Sequence, residues 1–398
     1  LGFPQPNAGG AFAAMLVILC WSWVLLPVRT RAAGMLQLLL LIPGALGAYA
    51  LAMTFSRGAL VALVLSLAGC GGLILLQNRK AWVPVSVKLV GMLTLLVVLN
   101  QWVGMDERMA PEELVSGQSS SARLELWTGG LQMIHLKPFS GWGVGESGKI
   151  YMNWFQRLDG THKVAGMINS YLHVATERGI PFLMCVLFPA LTIMCAGVLG
   201  YLKRDASQLS RGLCLSSVGV LVVFAAANFF STLWVFKHLW WLPVLAVGVL
   251  LALVALTGQM PLLLRSAKLG CVATLTLAAS FFAVSAVAGH HSPVARIDSG
   301  FLVIDPPDDP DQSYVVYGDE SVLGRDYGKR VRELASDGIS IWAATESATS
   351  DLPDRNFDRI IYCGDREPDI EVEAHKNSRI VFLNPLFSPP ENIESRDI

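Results

Sequence analysis

The stretch INSYLHVATERGIPF, residues 168–182, sets Asn169, His173, Glu177 and Arg178 directly before an apolar run that continues to Tyr201. A run of that length reads as a membrane span, because about 20 apolar residues carry a helix across a bilayer. The polar residues at its mouth then need a reason to be there. The rest of the composition agrees with a membrane setting. Hydrophobic residues make up 53% of the chain, charged residues 15%, and mean hydropathy is +0.50. A soluble chain carries charge on about a quarter of its residues. The net charge of −1 is segregated along the chain and gives no sign of a nucleic-acid binder.

Working outward from 168–182, eight spans follow from length and hydropathy: 8–28, 34–54, 58–77, 82–103, 180–201, 212–235, 238–257 and 268–288. Two pairs are joined so tightly that hairpins are expected, one at Ser56-Arg57-Gly58 and one around Phe236-Lys237-His238. The chain starts at Leu1 with no signal-peptide pattern and is expected to be a piece that lacks earlier spans. Lys and Arg accumulate in alternate connections: Arg29 and Arg31; Arg79 and Lys80; Lys203, Arg204 and Arg211; Arg265 and Lys268. Positive charge of this kind marks the cytoplasmic side. The loop 104–179 and everything after 289 are therefore expected on the opposite face of the membrane.

Six cysteines (Cys20, Cys70, Cys185, Cys195, Cys214 and Cys271) fall in or beside expected spans, and Cys363 has no local partner. Neither a disulfide framework nor a metal site is indicated, and no cofactor is expected.

The tail changes character. FLVID, SYVVYGD, ISIWAAT, RIIYCG and RIVFLN are short β-branched runs, and GRDYGKRVRELASDG (324–338) has a helix pattern with Tyr327, Val331 and Leu334 on one face. Strands buried on both sides and alternating with a helix suggest a small parallel α/β domain. The expected fold class is an all-α polytopic membrane protein of about eight transmembrane helices with a C-terminal small soluble α/β domain. Its parts would be helices one to four in 1–103, a periplasmic loop with amphipathic helices in 104–179, helices five to eight in 180–288, and the soluble domain in 289–398.

Within the loop, SSSARLELWTGGLQMIHLKPFSGWGVGES (119–147) opens with serines suited to cap a helix. Arg123, Trp127 and Leu131 share a face at i, i+4, i+8, and Gly141, Gly143 and Gly145 form a turn after Pro138. An amphipathic helix at the membrane surface, with Trp127 and Trp142 as interface anchors, is one reading. The glycine run follows no strand, so it is poor evidence for nucleotide binding.

Taken in order, the SRGA hairpin, the Arg-to-Trp helix, KPFSGWGVG and NSYLHVATERG resemble the O-antigen ligase and O-antigen polymerase superfamily of bacterial envelope proteins. FPQPNAGGAFAA (3–14) is similar to the Pro-Asn segment before a span in that family, and the likeness runs in order over roughly 1–255. The resemblance implies a GT-C-like membrane glycosyltransferase. Such an enzyme takes a glycan from an undecaprenyl-pyrophosphate carrier at the periplasmic face. It passes the glycan to a hydroxyl of another glycan or of lipid A-core, with inversion and without a metal. It further implies arginines that hold the pyrophosphate, at the positions of Arg57 and Arg123, and a histidine that acts as base.

The chemistry of those residue types fits. A pyrophosphate leaving group develops negative charge, and guanidinium groups bind it through two parallel hydrogen bonds. The bland alternatives are an Arg57 that snorkels to the interface and an Arg123 on a solvated helix face.

The stretch 168–182 departs from the family pattern in one place. Ile168 stands where the family has His, directly before the Asn. His162 and His173 are the nearby imidazoles. On a continuous helix Asn169, His173 and Glu177 form one stripe, so His173 is a candidate base with Glu177 as its orienter and Asn169 as a sugar contact. Such a helix would point residue 173 about 140° away from 168 and about 7.5 Å along, so His173 does not overlay the missing His. His162, in the preceding loop, is freer to move into place but has no fixed geometry, and it is the other candidate base and a candidate substrate contact. A surface His paired with Glu177 is the bland reading of the same spacing. Two other function classes remain open: a glycan-lipid-binding protein without catalytic activity, and a polysaccharide transporter or flippase. Partners in every case would be lipid-linked glycan, an acceptor and membrane lipid.

Overall fold

The computed structural model describes residues 5–28, 30–104, 118–156, 164, 166–203, 205–256 and 260–289, and six short strands between 296 and 382. The helices are α1 (Pro6–Leu25), α2 (Arg31–Met53), α3 (Arg57–Gln77), α4 (Trp82–Trp102), α5 (Gln118–Leu136), α6 (Ser147–Ile150), α7 (Ser170–Leu202), α8 (Gln208–Phe230), α9 (Trp241–Leu256) and α10 (Met260–Gly289). Eight of the described helices are long and apolar enough to cross a membrane, and they coincide with the eight expected spans. This is a multi-pass, mostly helical membrane protein. The chain divides into two compact units. The first comprises residues 1–124, 168–171 and 181–279, and the second 125–167, 172–180 and 280–398.

The first unit is built on α1, which packs against α2, α3 and α8. Its small residues explain the closeness. Ala8, Gly9, Gly10, Ala11, Ala13 and Ala14 are buried or nearly so, and a Cβ on Gly10 would stand 2.6 Å from Ser56 Cβ. Small residues let helices approach in lipid, where the hydrophobic effect drives little association between them. Hydrogen bonds then join the helices: Ser22 Oγ lies 2.7 Å from Ser216 Oγ, and Ser66 Oγ donates to the Gly219 carbonyl at 2.9 Å. By contrast α2 and α4 carry exposed Leu38, Leu39, Ile42, Leu46, Val83, Val87, Val90 and Val97, a surface suited to lipid tails.

A cation inside the expected fourth span also has a structural explanation. Lys88 Nζ donates to the carbonyls of Val24 at 2.7 Å and Leu26 at 3.0 Å, while Gln37 Nε2 donates to those of Trp23 and Leu26. The last carbonyls of a helix have no partner within it. Lys88 and Gln37 supply donors there, and the ammonium suits the negative end of the α1 dipole.

The two hairpins differ. α2 and α3 are joined by Thr54, Phe55 and Ser56 alone, with Phe55 at φ 52° and Ser56 Oγ accepting from Ala59 N to cap α3. The second hairpin is looser than expected. α8 ends at Phe230, and two 3₁₀ turns, Leu233–Val235 and Lys237–Leu239, precede α9.

In the second unit the strands are β1 (Arg296–Asp298), β2 (Phe301–Ile304), β3 (Tyr314–Tyr317), β4 (Ile341–Ala344), β5 (Arg359–Tyr362) and β6 (Arg379–Phe382). They pair in chain order. β1–β2 and β2–β3 are antiparallel, with Ile297 opposite Leu302 and Val303 opposite Val315. β3 through β6 are parallel, with Ile360 opposite Ile380. The sheet is thus mixed, which corrects the all-parallel expectation: the short connections before β3 permit hairpins, whereas parallel neighbours need longer crossovers. The helix expected over 324–338 lies outside the described residues, so an α/β class is not established for the tail.

Candidate functional site

In the first unit the site begins at the turn between α2 and α3. Ser56 caps α3, Arg57 is its first residue, and Ser56 Oγ donates to Asn7 Oδ1 at 3.1 Å. The Pro-Asn segment and the SRG hairpin thereby meet. A cleft opens beside them, lined by Asn7, Ser56, Gly58, Ala59, Arg123, Ala227, Phe230 and Ser231.

Arg123 reaches this cleft from α5. Burial disfavours its charged form and holds the guanidinium below its ordinary value, and the positive charge of Arg57 adds to the effect. A guanidinium stays protonated at physiological pH. Arg123 lines the cleft beside Asn7 and Ser56, and the charge of Arg57, the residue after Ser56, acts on it, so an anion is favoured here and a cation is not.

The polar residues that begin α7 anchor the end of α8. Ser170 Oγ donates to Asn228 Oδ1 at 2.5 Å and accepts from Leu233 N at 3.1 Å. Asn228 Nδ2 in turn donates to the Phe224 carbonyl. Asn169 Oδ1 accepts from Tyr171 N at 2.9 Å, so Asn169 caps α7 from outside it. The expected stripe is corrected here: only His173 and Glu177 lie on the helix, because the helix starts at Ser170.

The second unit interlocks the motifs KPFSGWGVG and ATERG. Gly179 takes φ 80° and ψ 167° and breaks α7. The break frees carbonyls one turn earlier, and they find donors across the turn: Trp142 N donates to Thr176 O at 2.8 Å and Gly143 N to Glu177 O at 3.0 Å. Ile180 N, itself freed by the break, donates to Pro138 O at 2.7 Å. Gly141, at φ 67°, approaches so near that an added Cβ would meet the Glu177 and Arg178 backbone. Trp142 is corrected from interface anchor to buried strut: it is 8% exposed, and its Nε1 donates to Met133 O at 2.8 Å.

His173 and Glu177 stand together as their spacing requires, with Nε2 3.5 Å from Glu177 Oε1. Glu177 is buried and accepts from Ser147 Oγ at 2.8 Å, and Ser147 Oγ lies 3.2 Å from His173 Nδ1. Imidazole, hydroxyl and carboxylate therefore form one hydrogen-bonded cluster.

Each expected residue can now be placed. Arg57, Arg123 and Asn169 belong to the first unit, His173 and Glu177 to the second, and His162 lies outside the described residues. Among the described residues no three His, Cys, Asp or Glu side chains gather as a metal site requires. Sequence reasoning missed Asn228 and Ser231, and it missed Ser147. An Asn inside the apolar span FAAANFF was the available signal for Asn228, since a polar group within a span is rarely idle. Ser147 carried no such signal.

Residues 42–187 match a family model described as O-Antigen ligase. The matched segment includes Arg57, Arg123, the 137–147 turn, His173 and Glu177. The superfamily resemblance of the motifs is borne out over that segment. No curated protein matches the chain.

Proposed function

We propose that this protein transfers a glycan from an undecaprenyl-pyrophosphate carrier to a hydroxyl of a second glycan or of lipid A-core, at the periplasmic face of the inner membrane. The observation that carries the reading is Arg123 at a cleft beside the Ser56-Arg57 turn, with both arginines in a segment that matches an O-antigen ligase model. In this mechanism the two guanidiniums bind the pyrophosphate and gain strength as its charge develops. His173 takes the proton of the acceptor hydroxyl, whose oxygen attacks the anomeric carbon from the face opposite the leaving group. The bond to pyrophosphate breaks, the electron pair leaves with it, and the anomeric configuration inverts. No step in this scheme uses a metal ion.

On the same reading the loop 104–179 and the tail share the periplasmic side. The tail would be a small α/β domain, because residues 318–340, 345–358 and 363–378 join parallel neighbours and are each long enough for a crossover helix.

The test is reconstitution of purified protein with a lipid-linked donor and an acceptor in the presence of a chelator. Chelator-resistant transfer with inverted anomeric configuration supports the proposal. Retention of configuration, or transfer only after metal is restored, contradicts the mechanism. An inert wild-type protein that still binds the donor would favour the binding-only reading.

A further inference from the structure

Ser147 opens α6 directly after the glycine turn, and it is fully buried. Its hydroxyl has a single proton, and that proton goes to Glu177 Oε1 at 2.8 Å. Towards His173 Nδ1, at 3.2 Å, it therefore offers a lone pair. A hydrogen bond there requires Nδ1 to carry the hydrogen. In a neutral imidazole Nε2 is then bare.

We infer that Ser147 is a positioning residue: it selects the Nδ1–H tautomer of His173, couples that N–H to the Glu177 carboxylate, and leaves Nε2 as the proton acceptor. The inference rests on the reading of His173 as base. The opposite tautomer is disfavoured by the same geometry. It would put Nε2–H towards Glu177 at 3.5 Å, longer than a good N–H···O bond. It would also ask Ser147 to turn its proton from the carboxylate to Nδ1, and the buried carboxylate would lose a short, charge-assisted donor. Once Nε2 has taken a proton, the imidazolium has the Glu177 carboxylate 3.5 Å away.

The local fold keeps this arrangement tight. A Cβ on Gly166 would stand 2.9 Å from His173 Cε1 and Nδ1 and 3.4 Å from Ser147 Oγ, so a glycine lets the backbone at 166 close over the ring edge. On the other side Gly143 N holds Glu177 O, which fixes the glycine turn that delivers Ser147.

The experiment uses the full chain in detergent with ¹⁵N-labelled histidine. The chain has 7 histidines, and the His173 signals are assigned by their loss in His173→Gln. The expected wild-type spectrum shows a protonated Nδ1 and a bare Nε2 for neutral His173. Ser147→Ala should shift His173 to the other tautomer, and Ser147→Thr, which keeps the hydroxyl, should hold the original one. Transfer by Ser147→Ala should fall at least about tenfold in kcat with little change in KM, because a wrong tautomer disables a base without disturbing binding. A bare Nδ1 in the wild type, or a tautomer unchanged in Ser147→Ala, overturns the inference. The spectrum decides this even if the wild type transfers no glycan, an outcome that counts against the proposed function instead.

Discussion

Arg57 stands near enough to Arg123 for its charge to disfavour that of Arg123, on top of the water that Arg123 has already lost through burial. A multivalent anion between them relieves the repulsion and replaces the missing solvation. Inorganic pyrophosphate should therefore raise the Tm of the detergent-solubilised protein. A ligand that binds only the folded state adds about 2.7 kcal/mol at a hundred times its Kd. The shift should shrink at high salt and vanish in Arg123→Gln. Equal shifts from pyrophosphate and from chloride at matched ionic strength would mean that no specific anion site exists.

His173 is the next point of test. Loss of a general base lowers rates by about 10²–10⁴. His173→Ala should fall in that range, and Glu177→Gln should lose less, because it keeps the shape of the partner while removing its charge. The comparison needs His162→Ala alongside. Full transfer by both histidine variants would exclude an imidazole base and leave the chemistry to the leaving-group contacts.

Gly179→Ala should destabilise the protein without touching any reacting group. Its φ of 80° is unfavourable for a side chain, and an added Cβ would collide with the Phe139 carbonyl. Strain in such a backbone region costs about 1–3 kcal/mol before the collision is counted. Thermal unfolding of purified protein would measure it. An unchanged Tm would show that the 137–147 turn is not held by the break in α7.

Much of this was legible in the sequence because lipid imposes few solutions. A run such as 58–77 has to be a helix, and the eight spans followed from length and hydropathy together. The SRG turn was legible because so few residues separate two spans. What stayed hidden depended on contacts between distant residues. The period of 3.6 put Asn169 on a stripe with His173, but the stripe presumes a helix that begins earlier than Ser170. Trp142 looked like an interface anchor because its partner, the Met133 carbonyl, belongs to backbone and leaves no mark in sequence. Ser147 is separated from Glu177 by 30 positions, and no periodicity links them. The antiparallel start of the tail sheet was missed because β-branched runs look alike in either orientation.

The positive-charge pattern makes its own prediction. In a background without native cysteines, a single Cys introduced near residue 159 or near residue 365 should react with an impermeant maleimide added to cells whose outer membrane alone is opened. A Cys placed near Lys80 should react only after the inner membrane is lysed. The reverse pattern would invert the whole topology.

Transfer rate in the arginine variants bears most directly on the central claim. With purified donor and acceptor, and protein amounts matched, Arg57→Ala and Arg123→Ala should each cut transfer by about ten- to a hundredfold, the range that hydrogen bonds to a charged group support. Arg57→Lys and Arg123→Lys should recover little, since an ammonium cannot supply the paired, planar donors of a guanidinium. Wild-type transfer by both alanine variants would contradict the assignment of the pyrophosphate to this pair.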